Sequence, residues 1–190
     1  MPMKTKSMLP FLLLVGLLAA VVCTSAADTP RVSRTLLATL EKNFDDRIAK
    51  LWDDNPIAVL GSTRGVYLAG YGAVFTTEVN MAIGGGTLMH LQWTQADKDR
   101  HRQKKIERLP QLKREMKQTL MDAADSPALD AVSPEEQVYL AVFLWRYPWE
   151  NAAHIPAQVI LQAQKKRLVE VKRSGGKDAA LDQVVRLTEY

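Results

Sequence analysis

The 190-residue sequence contains one cysteine, Cys23, so an internal disulfide is excluded and the fold must be stabilised by a packed core. It also lacks a nucleophile-elbow motif, which argues against a covalent hydrolase. After residue 22 no apolar run approaches the ~20 residues that a membrane-spanning helix requires. These absences favour a protein whose function depends on surfaces rather than on a recognisable reaction motif.

Excess charge of one sign is also small. The chain has 25 Lys and Arg against 21 Asp and Glu, and its formal charge falls from +4 to +2 without Lys4 and Lys6. A nearly neutral protein attracts partners through local patches rather than through its overall field.

The N-terminus has the three-part layout of a secretory signal peptide. Its two lysines precede an apolar stretch at residues 9–22, and small residues, Ser25 and Ala27, follow. We predict that residues 1–27 are removed, and that residues 28–190 form a single domain. We therefore expect an exported protein, periplasmic or extracellular, with no transmembrane span and no nucleic-acid partner.

Cys23 raises the alternative of lipid attachment. A lipidated cysteine should follow a small residue, and here Val22 precedes it. Ordinary cleavage after Ala27 is therefore favoured over a lipid anchor.

Hydrophobic spacing predicts the order α-β-β-α-β-β-α, an α+β fold with a mainly antiparallel sheet of two hairpins and helices on one face. Residues 138–147 are predicted as a strand from their β-branched and aromatic content, although "SPEE" before them is typical of a helix start. The segments are a helix ending before residue 53, two strands within 57–82, a helix over 94–124, strands over 138–147 and 157–164, short helical turns over 165–172, and a final helix including Leu181, Val184, Val185 and Thr188.

The stretch "RGVYLAGYGAVFTTEVN", residues 64–80, permits two strand arrangements. We favour a hairpin that reverses at Gly70 and Tyr71, with Val66, Leu68, Ala73, Phe75 and Val79 facing the core. The alternative is one long strand with a glycine bulge. A phosphate loop is disfavoured because neither "GYG" nor "GGG" is followed by the required lysine and hydroxyl.

The helix over residues 94–124 is unevenly patterned. Its first three turns are polar, so they are predicted to project into solvent, and an apolar stripe begins only at Ile106. Pro110 is predicted to kink or break it. Its many Lys and Arg side chains, including Arg102, Lys104 and Lys105, form a basic face that could attract an anionic partner.

The loop "RYPWENAAH", residues 146–154, presents aromatic side chains that can stack on sugar rings or fill a partner's pocket. The leading hypothesis is an exported, non-enzymatic binding or assembly protein without a cofactor, which contacts an anionic cell-envelope component or a protein partner; a homo-oligomer is also open. The predicted contact residues are Tyr147, Trp149, His154, Arg102, Lys104 and Lys105.

The alternative is a metal-dependent hydrolase. Asp97 and His101 are four residues apart and share a helix face, and His90 and His154 could complete a zinc site if the fold gathered them. The cationic neighbours of His101, on a helix face predicted to be solvated, disfavour a bound cation. Binding is therefore preferred over metal chemistry.

Overall fold

The computed structural model describes residues 32–52, 57–82, 93–150 and 155–190. Within these ranges no helix has the length and apolar character needed to cross a membrane. The predicted signal peptide lies outside them and stays a prediction. The helices are α1 (Arg34–Ala49), α2 (Gln95–Ala124), α3 (Lys165–Arg173) and α4 (Asp178–Val184), and the strands are β1 (Ala58–Leu68), β2 (Gly72–Asn80), β3 (Gln137–Leu144), β4 (Gln158–Gln164) and β5 (Arg186–Glu189).

The five strands form one sheet in sequence order, β1-β2-β3-β4-β5. Neighbouring strands are antiparallel except for β2 and β3, which are parallel. The α+β class is therefore confirmed, and the sheet is mixed rather than purely antiparallel. The cause is α2, which connects β2 to β3 and carries the chain back so that β3 begins at the same end as β2.

The helices pack on one face of the sheet, as the sequence predicts. Inward side chains of the strands, such as Phe75, Leu140 and Leu161, join Leu112 and Leu120 of α2 in one apolar core. α3 and α4 contribute to the same core. All helices with buried apolar residues therefore use the same sheet face, called here the inner face.

The first two strands form the predicted hairpin, but its register differs by one residue. Leu68 pairs with Gly72 across a three-residue turn in which Gly70 has φ 82°. Because side chains alternate between faces, this shift turns Val66 and Leu68 outward, where they are 49% and 47% exposed. Their predicted core positions are therefore wrong, and Tyr71 is displayed at the turn, 72% exposed.

Helix α1 covers the free edge of β1. The Glu41 carboxylate accepts a hydrogen bond from the Gly65 N–H at 2.6 Å, and Asp45 accepts one from the Thr63 N–H at 3.0 Å. Four helical residues rise by ~6 Å and two strand residues by ~6.6 Å, so the two carboxylates match alternate N–H groups of the strand. The N–H groups of Thr63 and Gly65 are therefore not available to another strand.

The C-terminus ends in a strand instead of continuing as a helix. α4 ends at Val184, and Leu187 and Thr188 pair with Leu161 and Ile160 of β4. The final helix is thus shorter than predicted, because the free backbone groups of β4 accept a fifth strand.

Candidate functional site

Helix α2 begins at a side-chain cap. The Thr94 hydroxyl accepts a hydrogen bond from the Asp97 N–H at 3.1 Å, which satisfies one of the free donors of the first turn. The helix continues to Ala124 with Pro110 inside it. Of the two predicted outcomes at Pro110, a kink or a break, the break does not occur.

One face of the polar first half of α2 is buried, contrary to the prediction that these turns project into solvent, while residues on the other side, such as Asp99 and Gln103, are exposed. His101, Lys105 and Arg108 are only 6%, 1% and 5% exposed. Arg108 donates to the Met81 carbonyl at 2.6 Å and lies 4.5 Å above the Trp52 ring. The prediction fails because residues far away in the sequence, namely Trp52, Met81 and Glu150, contact this face of the helix.

Glu150 provides the counterion for Lys105. The Lys105 ammonium donates to Glu150 Oε2 at 2.7 Å and to the Trp145 carbonyl at 3.0 Å, and Glu150 Oε2 also accepts from the Tyr147 N–H at 2.7 Å. Burial lowers the pKa of Lys105, while the contact with Glu150 opposes that shift. The ion pair attaches the loop after β3 to α2.

His101 lies beside this ion pair with an unused nitrogen. Its Nε2 and Glu150 Oε1 are 3.8 Å apart, and neither atom has a hydrogen-bond partner among the described residues. Burial lowers the pKa of His101, the Lys105 charge lowers it further, and Glu150 acts in the opposite direction. The imidazole is therefore held neutral near pH 7.

Three half-buried rings, Trp93, Tyr147 and Trp149, form an aromatic cluster around His101. Tyr147 and Trp149 stack in parallel with centroids 5.1 Å apart and planes at 9°. Trp93 lies 5.4 Å from Tyr147 and 5.1 Å from Trp149, and each ring contacts His101 edge-on at 5.2 to 5.6 Å. The Lys98 ammonium lies 5.9 Å from the Trp149 ring.

The structure brings Tyr147, Trp149 and Lys105 together, but it does not display the predicted basic contacts as one exposed face. Lys105 is buried and cannot meet a partner at the surface. Arg102 lies 3.3 Å from Asp99, and Lys104 is half-buried and engaged with other residues. Further along α2, Lys113 and Lys117 pair with Glu189 and Asp182. His154 lies outside the described residues.

The metal hypothesis gains no support from the residues that can be placed. Asp97 bonds to the Thr94 hydroxyl and lies 3.5 Å from Arg100. No group of three His, Cys, Asp or Glu side chains suited to a metal occurs in the described part of the chain. His90 and His154 lie outside that part, so the four-residue site stays a prediction.

Glu150 and Trp93 are the members of the site that the sequence does not single out. A signal for the buried half of α2 nevertheless exists, because His101, Lys105 and Arg108 recur at helical spacing and lead into Leu112 and Met116. The buried face of α2 thus begins with polar residues. A search for apolar residues at helical spacing does not detect this part of the face.

Comparison of the chain with protein-family profiles, curated proteins and solved structures finds no match. Functional conclusions therefore depend on the residues and geometry described above.

Proposed function

We propose that this chain is an exported, non-enzymatic binding protein that contacts an anionic cell-envelope polysaccharide through its aromatic cluster. The observation that carries the proposal is the parallel stack of Tyr147 and Trp149, half-buried beside Trp93. Stacking covers one face of each ring, and because both residues are only half-buried, the part of each ring that is open to solvent can pack against the C–H groups of sugar units. An indole N–H can also donate a hydrogen bond to a hydroxyl.

The aromatic cluster is held in place before any ligand arrives. The Tyr147 N–H bonds to Glu150, and Glu150 is fixed by the buried Lys105. Because residues 147–150 are already held by these bonds, binding loses less conformational entropy than it would on a free segment. The ion pair thus supports recognition without touching the ligand.

A cation beside the aromatic cluster supports the choice of an anionic polysaccharide. The Lys98 ammonium lies 5.9 Å from the centroid of the Trp149 ring. Binding should therefore weaken as the salt concentration rises.

The direct test is sedimentation of the protein with purified envelope polysaccharide. Trp149→Ala should weaken binding by about tenfold or more, because a central aromatic contact contributes ~2 kcal/mol. Tyr71→Ala is the matched control, since Tyr71 is an exposed aromatic at the β1–β2 turn. Equal binding by wild type and Trp149→Ala, with both folded by circular dichroism, would exclude this cluster as the contact site.

The charge contribution is tested with Lys98→Glu, and Lys42→Glu on α1 is the control because its side chain is 75% exposed. Only the first should reduce binding. Envelope fractions treated separately with protease and with polysaccharide-degrading enzymes identify the class of partner. Binding that is lost only after protease treatment would replace the polysaccharide by a protein partner.

A further inference from the structure

The sheet face opposite the helices forms a second surface, called here the outer face. The strand registers align its side chains in rows: Val66 with Val74 and Tyr139, and Thr76 with Ala141 and Ile160. Phe143 continues the surface and is 44% exposed. The two rows carry charge only at their ends, where Arg64 and Arg186 lie, whereas Phe143 lies between Glu78 and Gln158.

Charged residues lie around the border of the outer face. Arg64 is on the edge strand β1, Glu78 is near the end of β2, and Arg186 begins β5 at the other edge. An uncharged centre with a polar rim is the usual anatomy of a protein interface. Both signs of charge are present on the rim, so the face can be complementary to itself.

No helix of the described residues covers the outer face. The buried apolar residues of α1 to α4 belong to the core on the inner face, and Val66, Leu68 and Phe143 remain substantially exposed. Contiguous apolar surface of this kind marks an interaction site more often than isolated exposed residues do.

The outer face is large enough for a specific interface. The five strands have 11, 9, 8, 7 and 4 residues, and at ~3.4 Å per residue and ~4.8 Å between strands the whole face covers on the order of 600 Å². Specific complexes bury about 600–1,000 Å² on each partner. Sheets also stack face to face with ~10 Å between them.

Assembly through a strand edge is disfavoured on the β1 side, because Glu41 and Asp45 occupy the outward N–H groups of Gly65 and Thr63. We propose that two copies of this chain pack through their outer faces and form a dimer of stacked sheets. A two-fold dimer uses the same patch on both copies, which suits a face with an uncharged centre and a rim of mixed sign.

Sedimentation equilibrium of the purified full-length chain tests the proposal. The wild type should be a dimer, and Ile160→Asp should raise its dissociation constant by about tenfold or more, because Ile160 lies between Ala141 and Thr188 and each dimer would bury two carboxylates. Val66→Lys is a second variant with the same expected effect. Leu36→Asp is the matched control, since Leu36 is 42% exposed on α1, away from the outer face.

A wild type that stays monomeric at the highest concentration measured would overturn the proposal. A dimer that persists in both outer-face variants, or that only Leu36→Asp dissociates, would overturn it as well by placing the interface elsewhere. Polysaccharide binding is a separate readout, so the dimer and the aromatic binding site can fail independently.

Discussion

Each half of helix α2 buries one face, but by different means. The half before Pro110 is held by an ion pair, a hydrogen-bonded arginine and aromatic rings, whereas the half after it packs Leu112, Met116 and Leu120 into the core. A buried ion pair requires both partners to be present, while an apolar contact loses stability in proportion to the atoms removed. The first half is therefore sensitive to single changes in charge, and the second to changes in volume.

The largest effect is expected from removing one partner of the ion pair. Glu150→Ala leaves the Lys105 ammonium buried without its carboxylate, which should reduce the free energy of unfolding by ~3–5 kcal/mol. Urea denaturation measures this loss, with Glu135→Ala as the control because the Glu135 side chain is 68% exposed.

The combination Lys105→Met with Glu150→Leu sharpens the result, because replacing both charges by apolar groups should recover most of the loss. A loss below ~1 kcal/mol for Glu150→Ala would show that the ion pair does not hold the first half of α2.

A somewhat smaller effect is expected in the second half. Leu120 is fully buried, so Leu120→Ala should cost ~2–4 kcal/mol through lost contacts and a cavity. Urea denaturation with Leu36→Ala, an exposed position on α1, separates this loss from the effect of helix propensity. If Leu120→Ala were as mild as Leu36→Ala, the apolar half would not be packed as described.

The smallest effect concerns pH. Because burial lowers the pKa of His101, the unfolded chain binds a proton near pH 6.5 that the folded chain does not yet bind. His101 therefore contributes stability above pH 6.5 that is lost as the pH falls toward its folded pKa. Urea denaturation at pH 7 and pH 5 should show a smaller loss for His101→Gln than for wild type, and equal losses would contradict this assignment.

The sequence is most informative where one face of an element is uniformly apolar. In β4 the buried residues Val159, Leu161 and Ala163 alternate with the half-buried Gln158, Ile160, Gln162 and Gln164, so the strand and its inner face can be predicted directly. The α+β class and the hairpin of β1 and β2 also follow from local patterns. The parallel pairing of β2 with β3 does not, because it depends on where a long helix returns the chain.

The candidate site likewise contains residues that the sequence reveals and residues whose environment it does not reveal. Tyr147 and Trp149 attract notice because aromatic residues in a loop are unusual by composition. The burial of His101 and Lys105 cannot be predicted from α2, since it depends on Glu150 and the rings that contact them from another segment. From the sequence alone, polar residues that are buried by distant partners cannot be distinguished from polar residues that are exposed to solvent.

The parallel pairing of β2 and β3 also affects how the chain folds. These strands are the second and third of the sheet, yet Gly72 meets Gln137 only after the chain has passed through the whole of α2. Closing so long a loop costs entropy that local hairpins avoid, and the cost is recovered only when α2 has packed on the sheet. The middle of the sheet therefore requires the longest loop closure, although it is the part most deeply buried in the finished fold.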